Sequence, residues 1–167
     1  MSTHMDRQDR ENGTKKILVV KLSSLGDLFH ALPAVHNLKL GLGVDIDWVV
    51  QREYVDLVGC FDDVRRVIAF DRRGPHRRPL TFLKALRGER YDMAIDMQGL
   101  SKSALITRLA RADRRIGPSF HRECAWLFYH AVAGKRDKER HAVEENCDVI
   151  GYLGLDPVPP EFPVTFP

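Results

Sequence analysis

Ile17-Leu18-Val19-Val20 is an uninterrupted apolar run, rich in β-branched residues, that follows a polar start ending at Lys15 and Lys16. A strand covered on both faces of a parallel sheet is apolar throughout and does not alternate, so this run predicts a first, central strand. Ser23-Ser24-Leu25-Gly26-Asp27 then supplies a small, polar turn, after which Leu28, Leu32, Val35 and Leu38 recur at helical spacing. Pro33 lies inside that pattern and predicts a helix that either kinks or begins there. Gly41-Leu42-Gly43 sits between a helix and a strand and lacks a third glycine, so it reads as a helix stop and not as a dinucleotide fingerprint.

The alternation continues down the chain. Strands are predicted over 45–50, 66–70, 91–96 and 114–116, the last ending at Gly117-Pro118. Helices are predicted over 53–58, 79–87, 102–110, 123–131 and 140–153, with Pro79 well placed in a first turn and Gly154 as a stop. Trp48, Trp126 and Phe128 are expected in the core. Strands and helices in this order imply right-handed βαβ units, hence an α/β fold with a Rossmann-like, doubly wound parallel sheet. The domain is expected over 16–155, preceded over 1–15 by a disordered tail or tag remnant. Five of the nine prolines fall in the last eleven residues. Residues 156–167 therefore read as an extended, semi-rigid interdomain linker leading towards a further domain absent from this chain.

Composition narrows the function. A chain of 167 residues supports one core, and 44% hydrophobic with 29% charged residues is ordinary globular usage. The net charge of +3 is too small to mark a nucleic-acid binder. Its distribution is uneven, because residues 65–90 hold nine Lys or Arg against Asp71 and Glu89, a local charge of +7. Arg72, Arg73, Arg77 and Arg78 in that stretch are candidates for contact with an anion. Cys60, Cys124 and Cys147 form no CxxC pair, which argues against a disulfide framework or a zinc site and for a reducing compartment. The histidines lack metal-ligand spacing, so His30, His36 and His130 are expected to pack or hydrogen-bond, and no metal is implied. No run reaches the ~18 apolar residues of a membrane span. The expectation is a cytoplasmic protein, in peripheral contact at most with the inner face of the membrane.

Ligands of open parallel sheets bind at the carboxyl ends of the strands. Ser23 to Asp27 and Gln98 to Lys102 occupy two such places. Gly26 would allow close backbone approach or a positive φ, and the amides of a helix start favour an anion. Asp27 beside them reads equally as a helix cap and as a functional carboxylate.

Longer blocks carry a resemblance. Lys16 to Ala34 (KILVVKLSSLGDLFHALPA), Asp47 to Val50 (DWVV), Tyr91 to Leu105 (YDMAIDMQGLSKSAL), Arg122-Glu123 with Leu127 to Tyr129 (LFY), and His141 to Glu144 (HAVE) occur in order. Together they resemble the ADP-heptose:lipopolysaccharide heptosyltransferases of glycosyltransferase family 9, and the Ser-Ser-Leu-Gly-Asp form favours the heptosyltransferase I branch. The resemblance implies the N-terminal, acceptor-binding half of a two-domain GT-B fold. It also implies a metal-independent, inverting transfer of heptose from ADP-heptose to the inner core, Kdo-lipid A, in lipopolysaccharide biosynthesis. By the same resemblance Asp27 is the general base, and Ser23, Ser24, Gly26, Gln98, Lys102 and Arg122 are acceptor-binding residues. No cofactor is implied, since the nucleotide-sugar donor would bind the absent C-terminal domain, and this chain alone would be inactive. Two other readings compete. One is a stand-alone module that binds an anionic glycan or nucleic acid through its basic loop, although no stacking aromatics interleave the arginines. The other, a small nucleotide-binding Rossmann enzyme, lacks a glycine-rich fingerprint after the first strand.

Overall fold

In the computed structural model, residues 14–72 and 79–167 are described. Most of the tail expected over 1–15, and Arg73, Arg77 and Arg78, lie outside them. Six strands form one sheet in the order β3-β2-β1-β4-β5-β6, every neighbouring pair parallel. They are β1 (Lys16–Val20), β2 (Asp45–Gln51), β3 (Val64–Phe70), β4 (Tyr91–Asp96), β5 (Ala112–Pro118) and β6 (Ala131–Ala133). The helices are α1 (Leu25–Leu42), α2 (Val55–Val58), α3 (Pro79–Arg87), α4 (Ser101–Leu109) and α5 (Ala142–Tyr152), with 3-10 turns at Arg52–Tyr54 and Ala125–Phe128.

β1 is central, and the reason is its composition. Ile17, Leu18, Val19 and Val20 are all fully buried. Ile17 and Val19 enter the core beneath α1, α2 and α5, while Leu18 and Val20 enter the opposite core beneath α3 and α4. Each such side chain contributes about 1.5–3 kcal/mol over an exposed one, so only a strand flanked on both sides repays four in a row. The doubly wound sheet expected from the sequence is the observed one.

α1 begins at Leu25 and runs through Pro33, so Pro33 is not its start. Pro33 has no N–H, which removes the usual helical donor to the Phe29 carbonyl, and one turn later the side chain of Asn37 donates to the Pro33 carbonyl at 2.8 Å. The helix stops at Gly43, whose φ of +60° closes the last turn by donating its N–H to the Lys39 carbonyl at 2.9 Å. The helix expected over 123–131 is absent. Glu123 and Cys124 have φ of +55° and +59°, which breaks a right-handed helix at its start. A single 3-10 turn follows, and Ala131–Ala133 then pairs with the free edge of β5, Ile116 opposite Ala131. Trp48 is fully buried as expected, but Trp126 is 53% exposed and Phe128 only partly buried. Those two were expected in a core that this segment does not reach.

The proline-rich segment after Gly154 is extended and lies against the domain. Val158 N–H donates to Asn37 Oδ1 at 2.8 Å, Asp62 N–H to the Pro163 carbonyl at 3.1 Å, and Thr165 N–H to the Cys60 carbonyl at 2.9 Å. Phe61 and Val164 complete an antiparallel bridge. His36 lies between Asp63 at 2.8 Å and Glu161 at 3.5 Å.

Candidate active site at the carboxyl edge of the sheet

Parallel strands deliver their following loops to one edge, and three of these loops meet here. The first joins β1 to α1. Its N-cap, Ser24, is in extended conformation, and Asp27 stands in the first turn of α1. Ser24 N–H and Oγ–H both donate to Asp27 Oδ2, at 3.0 and 2.9 Å. Asp27 is therefore a capping residue. It is also partly exposed, and among the described residues no hydrogen bond reaches its other oxygen, Oδ1. Burial raises the Asp27 carboxyl, but the two Ser24 hydrogen bonds and the fields of Lys21 and His30 outweigh it and hold the group below its ordinary value. The geometry thus gives a part-exposed, ionised carboxylate with one oxygen fixed by Ser24 and the other without a hydrogen bond among the described residues.

The second loop joins β4 to α4. Asp96, at the end of β4, is 1% exposed. Its Oδ1 accepts Gln98 N–H at 2.7 Å and Gly99 N–H at 3.0 Å, while its Oδ2 accepts Tyr129 O–H at 2.6 Å and Ser103 Oγ–H at 2.8 Å. Burial pushes the Asp96 carboxyl up, and these donors pull it back only in part. Gln98 in turn grips the first loop, its Oε1 accepting Leu22 N–H at 3.1 Å and Ser23 N–H at 3.3 Å. The third loop follows β5, and Arg122 N–H ties it to the Gly99 carbonyl at 2.7 Å.

Lys21 lies where the loops converge. It is 5% exposed, donates to the Met97 carbonyl at 2.6 Å, and stands 5.7 Å from the Phe120 ring centre. Burial lowers its proton affinity, against the raising fields of Asp27, Asp96 and Glu145. Lys21, Asp96 and Tyr129 were not singled out from the sequence. The available signal was position, because Lys21 and Asp96 are charged residues closing two apolar strands at the ligand-binding edge.

The sequence-predicted residues Ser23, Ser24, Gly26, Asp27, Gln98, Lys102 and Arg122 all belong to these three loops and the helix starts they lead into. Gly26 sits in the first turn of α1 without a positive φ, and a Cβ built there meets nothing within 4 Å. Lys102, in the first turn of α4, and Arg122 are exposed. Neither is paired with Glu123, which instead accepts Ser101 N–H at 3.2 Å and Ser101 Oγ–H at 2.8 Å.

The basic stretch behaves differently. Arg65 and Arg66 both bind the buried Asp47 carboxylate, Arg66 Nε at 3.0 Å, and Tyr91 O–H joins them at 2.7 Å. Arg52 pairs with Asp71, and Arg90 with Asp113 at 2.6 Å. Three of the nine cations in 65–90, Arg65, Arg66 and Arg90, are thus structural, and of the proposed contact loop only Arg72 is described, as an exposed residue. Among the described residues no group of three or more His, Cys, Asp or Glu is placed to hold a metal ion. No helix among them is long and apolar enough to cross a membrane.

Residues 80–163, which include β4, α4 and the third loop, match the family model described as glycosyltransferase family 9 (heptosyltransferase). The chain belongs to glycosyltransferase family 9. Within that family it is 36% identical to lipopolysaccharide heptosyltransferase 1 of Escherichia coli K12, over 82% of this chain and 48% of the relative. It is 37% identical to the Pseudomonas aeruginosa protein of the same name, over 84% of this chain and 46% of that one. A solved E. coli heptosyltransferase WaaC with ADP superposes with a TM-score of 0.77 at 35% identity, covering 88% of this chain and 50% of that one. The chain spans about half the length of the curated relatives it matches. The resemblance to the heptosyltransferase I branch, read from sequence blocks, agrees with these family members.

Proposed function

We propose that this chain is the acceptor-binding half of an inverting heptosyltransferase of lipopolysaccharide core synthesis, with Asp27 as general base. The observation that carries the reading is the state of Asp27: an ionised, part-exposed carboxylate at the carboxyl end of the central strand, with Oδ2 fixed by Ser24 and Oδ1 open. The acceptor would be the Kdo-lipid A inner core, and the donor ADP-heptose, held by a second GT-B domain. Asp27 Oδ1 takes the proton of the acceptor hydroxyl while its oxygen attacks the anomeric carbon from the face opposite the diphosphate. The bond to ADP breaks as the new glycosidic bond forms, and ADP leaves. A carboxylate of lowered basicity acts late, once the attacking hydroxyl has become acidic in the transition state.

Lys102 and Arg122, exposed and with only the field of nearby Glu123 acting on them, are suited to the phosphates or carboxylates of such an acceptor. The open space over Gly26 leaves room for a sugar ring beside the amides of α1. A glycolipid acceptor places the enzyme at the cytoplasmic face of the inner membrane as a peripheral protein. The stand-alone anion-binding reading is weaker, since Arg65, Arg66 and Arg90 are engaged in ion pairs.

The test is Asp27→Asn in the chain joined to its donor domain. Turnover should fall by roughly 10²-fold or more, the scale of general base catalysis, with acceptor affinity little changed. Near-normal turnover would reduce Asp27 to a helix cap. The 167-residue chain by itself should transfer no heptose, because positioning the donor and stabilising the leaving diphosphate supply most of the rate.

A further inference from the structure

The opposite edge of the sheet carries a second charged site. β4 and β5 begin there, and α3 and α4 end there at Arg87 and Leu109. Arg87, Arg90, Arg108, Arg111 and Arg115 line an open pocket of about 230 Å³ together with Asp113. Five guanidinium groups thus face one carboxylate, and that carboxylate is already bonded to Arg90 at 2.6 Å. Five less one leaves a local charge of +4.

The arrangement is built, not a scatter of surface charge. Arg115 is held from behind, its Nη2–H donating to the Ala110 carbonyl at 3.2 Å, with His130 Nε2 at 3.3 Å from Nη1. Its Nε is buried and has no hydrogen-bond partner among the described residues. Burial and the like charge of Arg108 both make Arg115 a poorer holder of its proton. Concentrated like charge destabilises a compact fold unless an anion neutralises it.

We propose that this pocket binds a phosphate-bearing anion of about pyrophosphate size, gripped chiefly by Arg87, Arg108 and Arg115. Guanidinium forks match phosphate oxygens in pairs, so several arginines around one cavity recognise phosphate better than a single-point anion. The volume lies below the ~300 Å³ at which drug-sized ligand pockets begin, which favours a small anion over a whole nucleotide. The six residues of β4 and seven of β5 separate the pocket from the Asp27 edge, roughly 20 Å at about 3.3 Å per residue. This is therefore not the acceptor site. Phosphate could come from a free oligophosphate or from a lipid headgroup. The free anion is favoured here, because a bilayer against this edge would hold the Asp27 edge away from any membrane-borne acceptor.

Titration calorimetry of the chain with sodium pyrophosphate at low salt tests the proposal, with Arg108→Gln and Arg87→Gln as variants on exposed positions. Saturable binding that weakens about tenfold in either variant, and survives Lys102→Ala and Arg122→Ala, is the expected result. Co-sedimentation with phosphatidylglycerol vesicles, against phosphatidylcholine, separates the sources. Arg108-dependent capture by the anionic vesicles without pyrophosphate binding would keep the phosphate site and assign it to lipid. No binding of either probe, or binding lost in Lys102→Ala and kept in both arginine variants, overturns the site.

Discussion

The loops after β1 and β4 look alike in sequence and differ in what their carboxylates do. Both leave adjacent parallel strands, both are rich in small polar residues, and each contains an aspartate that accepts hydrogen bonds from its own loop. Asp27 takes two bonds from one residue, stays part-exposed, and is held below its ordinary value. Asp96 takes four bonds from four residues, is sealed from solvent, and is pushed up by burial. The lesson is a division of labour, in which a satisfied, buried carboxylate builds the site and a half-satisfied, open one can act on a ligand.

The sharpest way to break this comparison is to remove Asp96. Asp96→Ala strips the acceptor from the Tyr129 and Ser103 hydroxyls and two amides, and should cost about 3–5 kcal/mol of stability, the range for breaking a buried charged network. Asp27→Asn should cost under about 1 kcal/mol of stability, within the range for a helix cap. Chemical denaturation of both variants reads this, and equal losses would erase the distinction.

The glycines of the two loops give a smaller contrast. Gly99 has φ of +72°, and a Cβ there would lie 3.0 Å from His121 Cα and Pro118 Cγ. Gly99→Ala should therefore cost about 1–3 kcal/mol in strain and displaced neighbours. Gly26 has open space, so Gly26→Ala should stay within about 0.5 kcal/mol of the parent while hindering acceptor binding. A stable Gly99→Ala, or an unfolded Gly26→Ala, would show that the β4 loop is not the scaffold.

Lys102→Ala and Arg122→Ala should each weaken binding of an acceptor analogue, the loss shrinking as salt screens exposed charge. Affinity equal to the parent at low ionic strength in both would return these residues to surface charge.

The smallest effect is the pH dependence. Because the folded Asp27 lies below its ordinary value of 3.8, its contribution to stability is present above that value and is lost as pH falls through the folded one. Asp96 runs the other way, its charged form becoming a cost as pH rises through its raised folded value. The stability gap between the parent and Asp27→Asn should therefore close below about pH 3.8, and a gap that widens in acid would reverse the assignment.

The sequence by itself determined most of the carboxyl edge. The apolar run of β1, the small polar turn and the helical repeat of α1 are local patterns, and their order alone places Asp27 at the end of a central strand. α3 and β4 were bounded correctly for the same reason, with Pro79 marking a limit that depends on backbone chemistry. What required the tertiary structure was every outcome set by partners distant in sequence. β6 forms because β5 presents an unpaired edge, and two left-handed residues forbid the helix its apolar neighbours suggest. Trp126 is exposed because hydrophobicity states a preference for burial, while only packing decides whether a covering surface exists. Asp96 and Lys21 become buried, and Arg65 and Arg66 become ion-paired to Asp47, through contacts between strands that no periodicity encodes. The proline-rich end docks through Asn37 and Cys60 on the same grounds: its extended shape is local, but the groups that satisfy its few donors and carbonyls lie across the fold.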